Sequence, residues 1–170
     1  MRKTLFFCIV VLSTISFVSC SKEKDSEKPI ITLIAPEEDE PIKPGSDVHF
    51  DMELSDNEAL KSYKVNVHYA GDGHSHAPIY NAGEETVSFE QTWLEADFVK
   101  AGEEAIEGKR NAHIHHHHIE IPTSVGGKKL TEGHYHFMVY CTDMAGNESF
   151  VAREIEISYS AEEHDHHHIH

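Results

Sequence analysis

Short segments of alternating apolar and polar residues predict that this chain folds as an all-β protein, an antiparallel β-sandwich. Apolar side chains occupy every second position from 48 to 54, which is the pattern of a strand with one buried face. Residues typical of turns separate such segments, as in Asp-Asn-Glu-Ala at 56–59. Few stretches show the 3.6-residue period of a helix, so we expect two sheets that pack on each other.

Six segments carry strand signals along the chain. The predicted strands cover 29–36, 48–55, 63–69, 86–93, 134–141 and 151–157. A short helix is expected within 94–106. The stretch 71–112 is predicted to be a long insertion between central strands, and insertions of this length often carry function. His74 and His76 lie near its start, and a polyhistidine run follows its end.

Residues 1–20 have the features of a secretory signal peptide rather than of a folded domain. A short basic region precedes an apolar run to Ile15 that is too short for a transmembrane span. The end of this segment resembles a bacterial lipobox, and the resemblance implies that Cys20 is lipid-modified. An ordinary cleaved signal with an incidental cysteine stays open as the alternative. Residues 21–28 are then expected to form a polar tether.

The chain is strongly acidic, with 14 basic against 30 acidic residues and a formal charge of −16. Loss of Arg2 and Lys3 with the signal peptide leaves 12 basic residues and a charge of −18. Such a charge attracts cations, so we expect no nucleic-acid partner and membrane contact only through the lipid. With Cys8 removed and Cys20 lipidated, Cys141 is single, which leaves no disulfide and no thiolate metal cage.

Histidine is the main chemical signal, with 16 residues that lie mostly in four groups. Neutral imidazole is the commonest protein ligand for zinc, copper and nickel, so a bound metal ion is the expected partner. The groups are the 74/76 pair, the run at 113–118, the 134/136 pair and a tail at 164–170. The predicted metal ligands are His68, His74, His76, His113, His115, His117, His134 and His136.

A common sheet face is predicted for three of these ligands. Residues i and i+2 of a strand point to the same side about 6.5 Å apart, so two imidazoles can approach one ion. If the apolar side chains between 135 and 139 face the core, His134 and His136 face outward together. By the same parity His68 faces outward on the strand expected beside them. One outward histidine is usually only a solvated polar residue, but the convergence of three favours a metal site.

The polyhistidine run is expected to lie at the edge of the core. Ile119 and Ile121 are predicted core residues, and the odd-numbered histidines of the run share their parity. Three histidines do not fit an apolar core without a metal. The core is therefore expected to begin near Ile119, with the histidines beyond it and facing the insertion. The tail at 160–170 better suits loose collection of metal ions.

Several motifs resemble those of bacterial immunoglobulin-like domains. They are Leu-Ser-Asp-Asn-Glu-Ala-Leu at 54–60, Tyr-x-Phe at 135–137 and Asp-x-Ala-Gly-Asn at 143–147. With the lipobox and the His-x-His motifs, the chain resembles a lipoprotein family of Bacteroidetes type, the domain of unknown function 4625, over 29–159. The resemblance implies an immunoglobulin-like sandwich held by lipid in the bacterial cell envelope, at the outer membrane, on its periplasmic or its outer side.

The leading functional hypothesis is a non-catalytic metal-binding lipoprotein for uptake, buffering or sensing, which exchanges its ion with an envelope transport protein. Zinc is the first expectation and copper(II) the second. One alternative is an adhesion or glycan-binding module, in which the loop 37–40 and the turns at Asp56 and Asp143 hold calcium and the histidines are incidental. Such turns occur in many sandwiches without an ion. A metallohydrolase is the other alternative, but the chain has no His-Glu-x-x-His segment, so we expect no enzyme.

Overall fold

The computed structural model describes residues 24–71 and 85–162. In these two ranges the chain forms ten strands and one α-helix. The elements are β1 (Ile30–Ala35), β2 (Glu40–Ile42), β3 (Asp47–Ser55), β4 (Leu60–Tyr69), β5 (Glu90–Leu94), α1 (Glu95–Ala101), β6 (Asn111–Glu120), β7 (Ser124–Val125), β8 (Lys128–Lys129), β9 (Gly133–Asp143) and β10 (Glu148–Ile157). Over the same ranges, no helix combines the length and apolar character that crossing a membrane requires.

Two packed sheets confirm the predicted β-sandwich. One sheet has the order β1-β3-β6, the other the order β2-β10-β9-β4-β5, and β7 and β8 form a small hairpin. The expected neighbours β4 and β9 pair antiparallel along almost their whole length. One pair departs from the prediction, since β2 lies parallel to the last strand, β10. The short β2 strand covers an edge that β10 would otherwise expose.

The core lies between the inner faces of the two sheets, where the alternating apolar residues meet. Phe50 and Met52 from one sheet and Val65 and Phe137 from the other are completely buried. The Tyr135 hydroxyl donates a 2.7 Å hydrogen bond to the backbone carbonyl of residue 131, four positions upstream. This contact is the tyrosine corner typical of immunoglobulin-like sandwiches.

The predicted insertion contains β5 and α1 in its described part. The helix confirms the expectation of a short helix within 94–106, whereas the predicted strand at 86–93 begins only at residue 90. Phe98 of α1 is 1% exposed and stacks on Tyr63 with ring centroids 5.7 Å apart. The buried Glu95 carboxylate accepts a 2.7 Å hydrogen bond from the backbone of Ile106 and so closes the loop after the helix. The described part of the insertion therefore packs against the β-sandwich through Phe98.

The polyhistidine run is part of a full strand, so the prediction that the core begins near Ile119 is wrong. Ile114 and His116 of β6 point inward and are buried. Val48 pairs with Ile119 whereas Phe50 pairs with His116, so two residues of β6 stand opposite one of β3. This extra residue is a β-bulge, and it shifts the side-chain parity by one position. The odd-numbered histidines of the run consequently point outward, although Ile119 points inward.

Candidate metal sites

Three imidazoles converge on the outer face of the three-stranded sheet. His49 of β3 faces outward because its neighbours Val48 and Phe50 are buried. Across from it, the bulge in β6 places His115 and His117 on the same outer face. The two β6 rings flank the β3 ring, with centroids 5.1 and 5.2 Å from that of His49.

The separations of the ring nitrogens match those of ligands around one ion. The Nε2 atoms of His49 and His115 lie 3.0 Å apart, and one nitrogen from each of the three rings lies within 4.8 Å of the others. Two nitrogens bound to a tetrahedral zinc at 2.0–2.1 Å are about 3.3 Å apart. A small rotation of the side chains is thus enough to bring the three rings to ligand distance.

Two carboxylates lie beside histidine rings on this face, one next to His117 of the group and one next to His113. Asp47 Oδ2 lies 3.0 Å from Nδ1 of His117, and Asp51 Oδ1 lies 2.9 Å from Nε2 of His113. A carboxylate close to a metal-binding imidazole helps to orient its ring. Asp47 is therefore suited to orient His117, while His113 is engaged with Asp51.

The two even-numbered histidines of the run serve other contacts. His116 is 4% exposed, and its ring lies 5.1 Å from that of Phe50 and 4.4 Å from that of Phe98. Burial lowers the pKa of His116 to about 4, because the lost hydration of the charged ring outweighs the attraction of Glu103. His118 points toward the insertion, and its Nε2 lies 3.1 Å from Glu103 Oε1.

On the outer face of the five-stranded sheet, two of the three histidines predicted to meet there do so. His68 and His136 are directly opposite on β4 and β9, with His68 Nε2 and His136 Nδ1 3.3 Å apart. His134 lies on the same face but engages other partners, so the predicted triad of these residues does not form. Its Nδ1 is 3.0 Å from Glu154 Oε1 and 3.9 Å from Asp39 Oδ1. The reason is register: β4 ends at Tyr69, so no histidine of β4 faces His134, whereas β10 offers a carboxylate.

An acidic groove of about 1000 Å³ adjoins the sheet face that carries the three converging imidazoles. Its wall includes His49, the neighbouring Asp47, and Asp39, whose Oδ1 lies 3.9 Å from His134 Nδ1. The carboxylates that line it are Glu37, Glu38, Asp39, Glu40, Asp47 and Glu162. Lys43 also lines the groove, but the six carboxylates outnumber it and give the wall a net negative charge. Such a wall raises the local concentration of cations.

Some predicted site residues lie outside the described residues. They are Cys20, His74, His76 and the tail histidines from His164 to His170. Sequence reasoning missed His49 and Asp47. The signal for them was available in the alternation of 47–54, which puts His49 on the outer face, but no spacing rule links it to a run more than 60 positions away.

Two comparisons with known proteins address the family to which the chain belongs. No curated protein matches the chain significantly. The model of one family, described as Domain of unknown function (DUF4625), matches residues 18–158. This match covers the whole β-sandwich, including β3, β6 and β9 with their histidines. The chain therefore belongs to the family of the domain of unknown function DUF4625.

Proposed function

We propose that the protein binds a transition-metal ion through His49, His115 and His117. The observation that carries the proposal is the convergence of three imidazoles on one open sheet face, with ligand nitrogens within 4.8 Å of one another. The donor set is nitrogen with carboxylate support, which suits zinc and copper(II) better than calcium or magnesium. Zinc is the first candidate and copper(II) the second.

Binding rather than catalysis is the proposed role. His115 is exposed, and the three rings lie on an open strand face rather than inside an enclosed pocket. A catalytic site usually excludes water and surrounds its substrate, whereas an open site allows an ion to enter and leave. The acidic groove beside His49 supports the same role, because it attracts cations toward the rings.

The proposed setting is the bacterial cell envelope. The lipobox-like segment that ends at Cys20 supports a lipid anchor, which would hold the domain at the outer membrane. A protein held there and carrying an open metal site is suited to uptake, buffering or sensing of the ion. An envelope transport protein is the proposed partner for exchange.

The test is a titration of full-length protein, first stripped of metal by a chelator, with zinc, copper(II) and nickel against a competing indicator. We expect one tight site with sub-micromolar affinity and further weak capacity from the His-rich tail. The double variant His49→Ala/His115→Ala should weaken the tight site by about 100-fold, since two of three ligands are lost. Deletion of residues 163–170 should remove only weak capacity.

A matched control comes from the same strand. His118→Gln also removes an imidazole from β6, but its ring contacts Glu103, so the tight site should keep its affinity. The proposal is wrong if tail deletion abolishes all binding, or if His118→Gln weakens the tight site as much as the double variant. Circular dichroism and a thermal melt of each variant without metal establish that the fold is kept.

A further inference from the structure

Three aspartates from separate parts of the chain meet at one end of the sandwich, remote from the histidine groups. Asp25 precedes β1, Asp56 follows β3 and Asp143 ends β9. One carboxylate oxygen from each residue lies within 4.8 Å of the other two. Within the part of the chain that the structure describes, no lysine, arginine or histidine forms an ion pair with them.

Two oxygens of this group are buried and lack any hydrogen-bond donor. Oδ1 of Asp25 accepts a 3.0 Å hydrogen bond from the Asn57 amide, and Oδ1 of Asp56 accepts one of 2.6 Å from the backbone of Ala59. The Oδ2 atoms of both aspartates each expose less than 1 Å² and have no hydrogen-bond partner. An ionised carboxylate is only an acceptor, so neighbouring carboxylates cannot satisfy these oxygens. A buried acceptor in this state points to a bound cation.

Asp143 adds a further buried charge. It is 0% exposed, and its Oδ2 accepts a 2.6 Å hydrogen bond from the Asn147 amide. Burial opposes the ionisation of Asp143, but hydrogen bonds from Asn147 and from the turn backbone outweigh it and keep the pKa of this carboxyl below its usual range. Three carboxylates without a counter-charge repel one another, and a divalent cation between them would remove that repulsion.

We propose that Asp25, Asp56 and Asp143 together bind one calcium ion. All their ligand atoms are oxygen, the donor that hard cations prefer. Calcium binds oxygen at 2.3–2.6 Å, so ligands on opposite sides of the ion are up to about 5 Å apart. The 4.8 Å spread of the three oxygens fits within that shell. Magnesium, at 2.0–2.1 Å, allows at most about 4.2 Å and retains its waters, which makes it the weaker competitor.

The ion would attach the N-terminal segment to two turns of the domain. Asp25 lies in the predicted tether, and its backbone carbonyl already accepts a 3.3 Å hydrogen bond from Asn147. It stands five positions after Cys20, the predicted lipid site. Calcium at Asp25 would therefore set the orientation of the domain at its anchor. The turns at Asp56 and Asp143 alone gave a weak signal for calcium, and Asp25 supplies the missing third ligand.

The test is calorimetric titration of the full-length protein, freed of metal by a chelator, with calcium chloride in the presence of 5 mM magnesium. We expect one site with a Kd of about 10⁻⁵ to 10⁻³ M and a higher melting temperature with calcium. Asp25→Asn and Asp56→Asn each remove a ligand charge but keep the size and the Oδ1 acceptor. Each should weaken calcium binding at least about tenfold.

Glu58→Gln is the matched control, since this exposed residue lies in the same turn as Asp56 and outside the group. Its calcium affinity should equal that of the wild type. Without calcium, both Asn variants should melt no lower than the wild type, because they relieve repulsion between carboxylates. The proposal is overturned if wild type binds no calcium at 10 mM, or if the Asn variants bind it as tightly as Glu58→Gln does. Zinc binding is measured separately, so this result is independent of the histidine site.

Discussion

His116 shows at the residue scale how neighbours in one run acquire different chemistry. The adjacent His115 is exposed to solvent, whereas His116 is buried against Phe50 and Phe98. The His116 imidazole stays neutral because the hydration that its charged form loses on burial outweighs the attraction of Glu103. The residue type therefore identified a set of possible metal ligands. Burial decided which of these histidines an ion can reach.

The neutral state of His116 predicts that acid destabilises the metal-free protein. Its pKa is about 4 in the folded chain and near 6.5 when unfolded, so only the unfolded chain takes up a proton between these values. This contribution to stability is complete above pH 6.5 and is lost as the pH falls toward 4. Relative to His116→Leu, wild type should lose about 1–3 kcal/mol of unfolding free energy from pH 7.5 to 4.5.

Urea unfolding at several pH values, with chelator present, measures this difference. His118→Gln is the control, since its ring is exposed and should leave the pH profile close to that of wild type. Parallel curves for wild type and His116→Leu would show that His116 is not held neutral by the fold.

At the element scale, the bulge in β6 decides which side chains of the strand face outward. It allows Ile114 and His116 to face the core in one half of the strand and Ile119 in the other. It also sets His115 and His117 on both sides of His49, because a bulge changes the direction of the side chains on its strand.

Single-residue deletions test the bulge directly. Deleting His118 removes the extra residue and leaves regular alternation, so the free energy of unfolding should fall by less than about 1 kcal/mol, mainly from the lost Glu103 contact. Deleting His115 instead shifts Ile114 to the outer face and should cost at least about 2 kcal/mol. Chemical denaturation of the two deletion variants provides the comparison. Equal destabilisation by both would contradict the bulged register.

At the scale of the whole molecule, the two proposed metal sites are separated by chemistry and by distance. His49 and Asp56 are seven positions apart in an extended strand, which corresponds to about 23 Å. The Debye length at physiological ionic strength is about 8 Å, so charge on one site is largely screened from the other. One set of ligands is imidazole-based and the other entirely carboxylate.

Zinc and calcium are therefore expected to bind independently. Saturating calcium should change the zinc Kd by less than about twofold, and the two increments in melting temperature should add. Zinc titrations with and without calcium, together with thermal melts of all four metal states, measure the coupling. A change of tenfold or more in either affinity would mean that the sites share a conformational element.

The sequence alone determined the sandwich class, because alternation of apolar residues depends on local periodicity that any sheet partner must respect. It also predicted that His68 and His136 face outward on neighbouring strands, as they do on β4 and β9. These features follow from side-chain parity within single strands and from the usual strand order of the fold.

Only the tertiary structure decided which of the candidate metal-binding side chains lie close together. A bulge of one residue in β6 reverses parity without a mark in the residue pattern, so the partnership of His49 with His117 was not predictable. Asp25, Asp56 and Asp143 are likewise brought together by the packing of distant segments. Periodicity in the sequence indicates to which face of its own strand a side chain points. Whether side chains from different strands meet depends on the strand register and on chain ends, which only the folded molecule brings together.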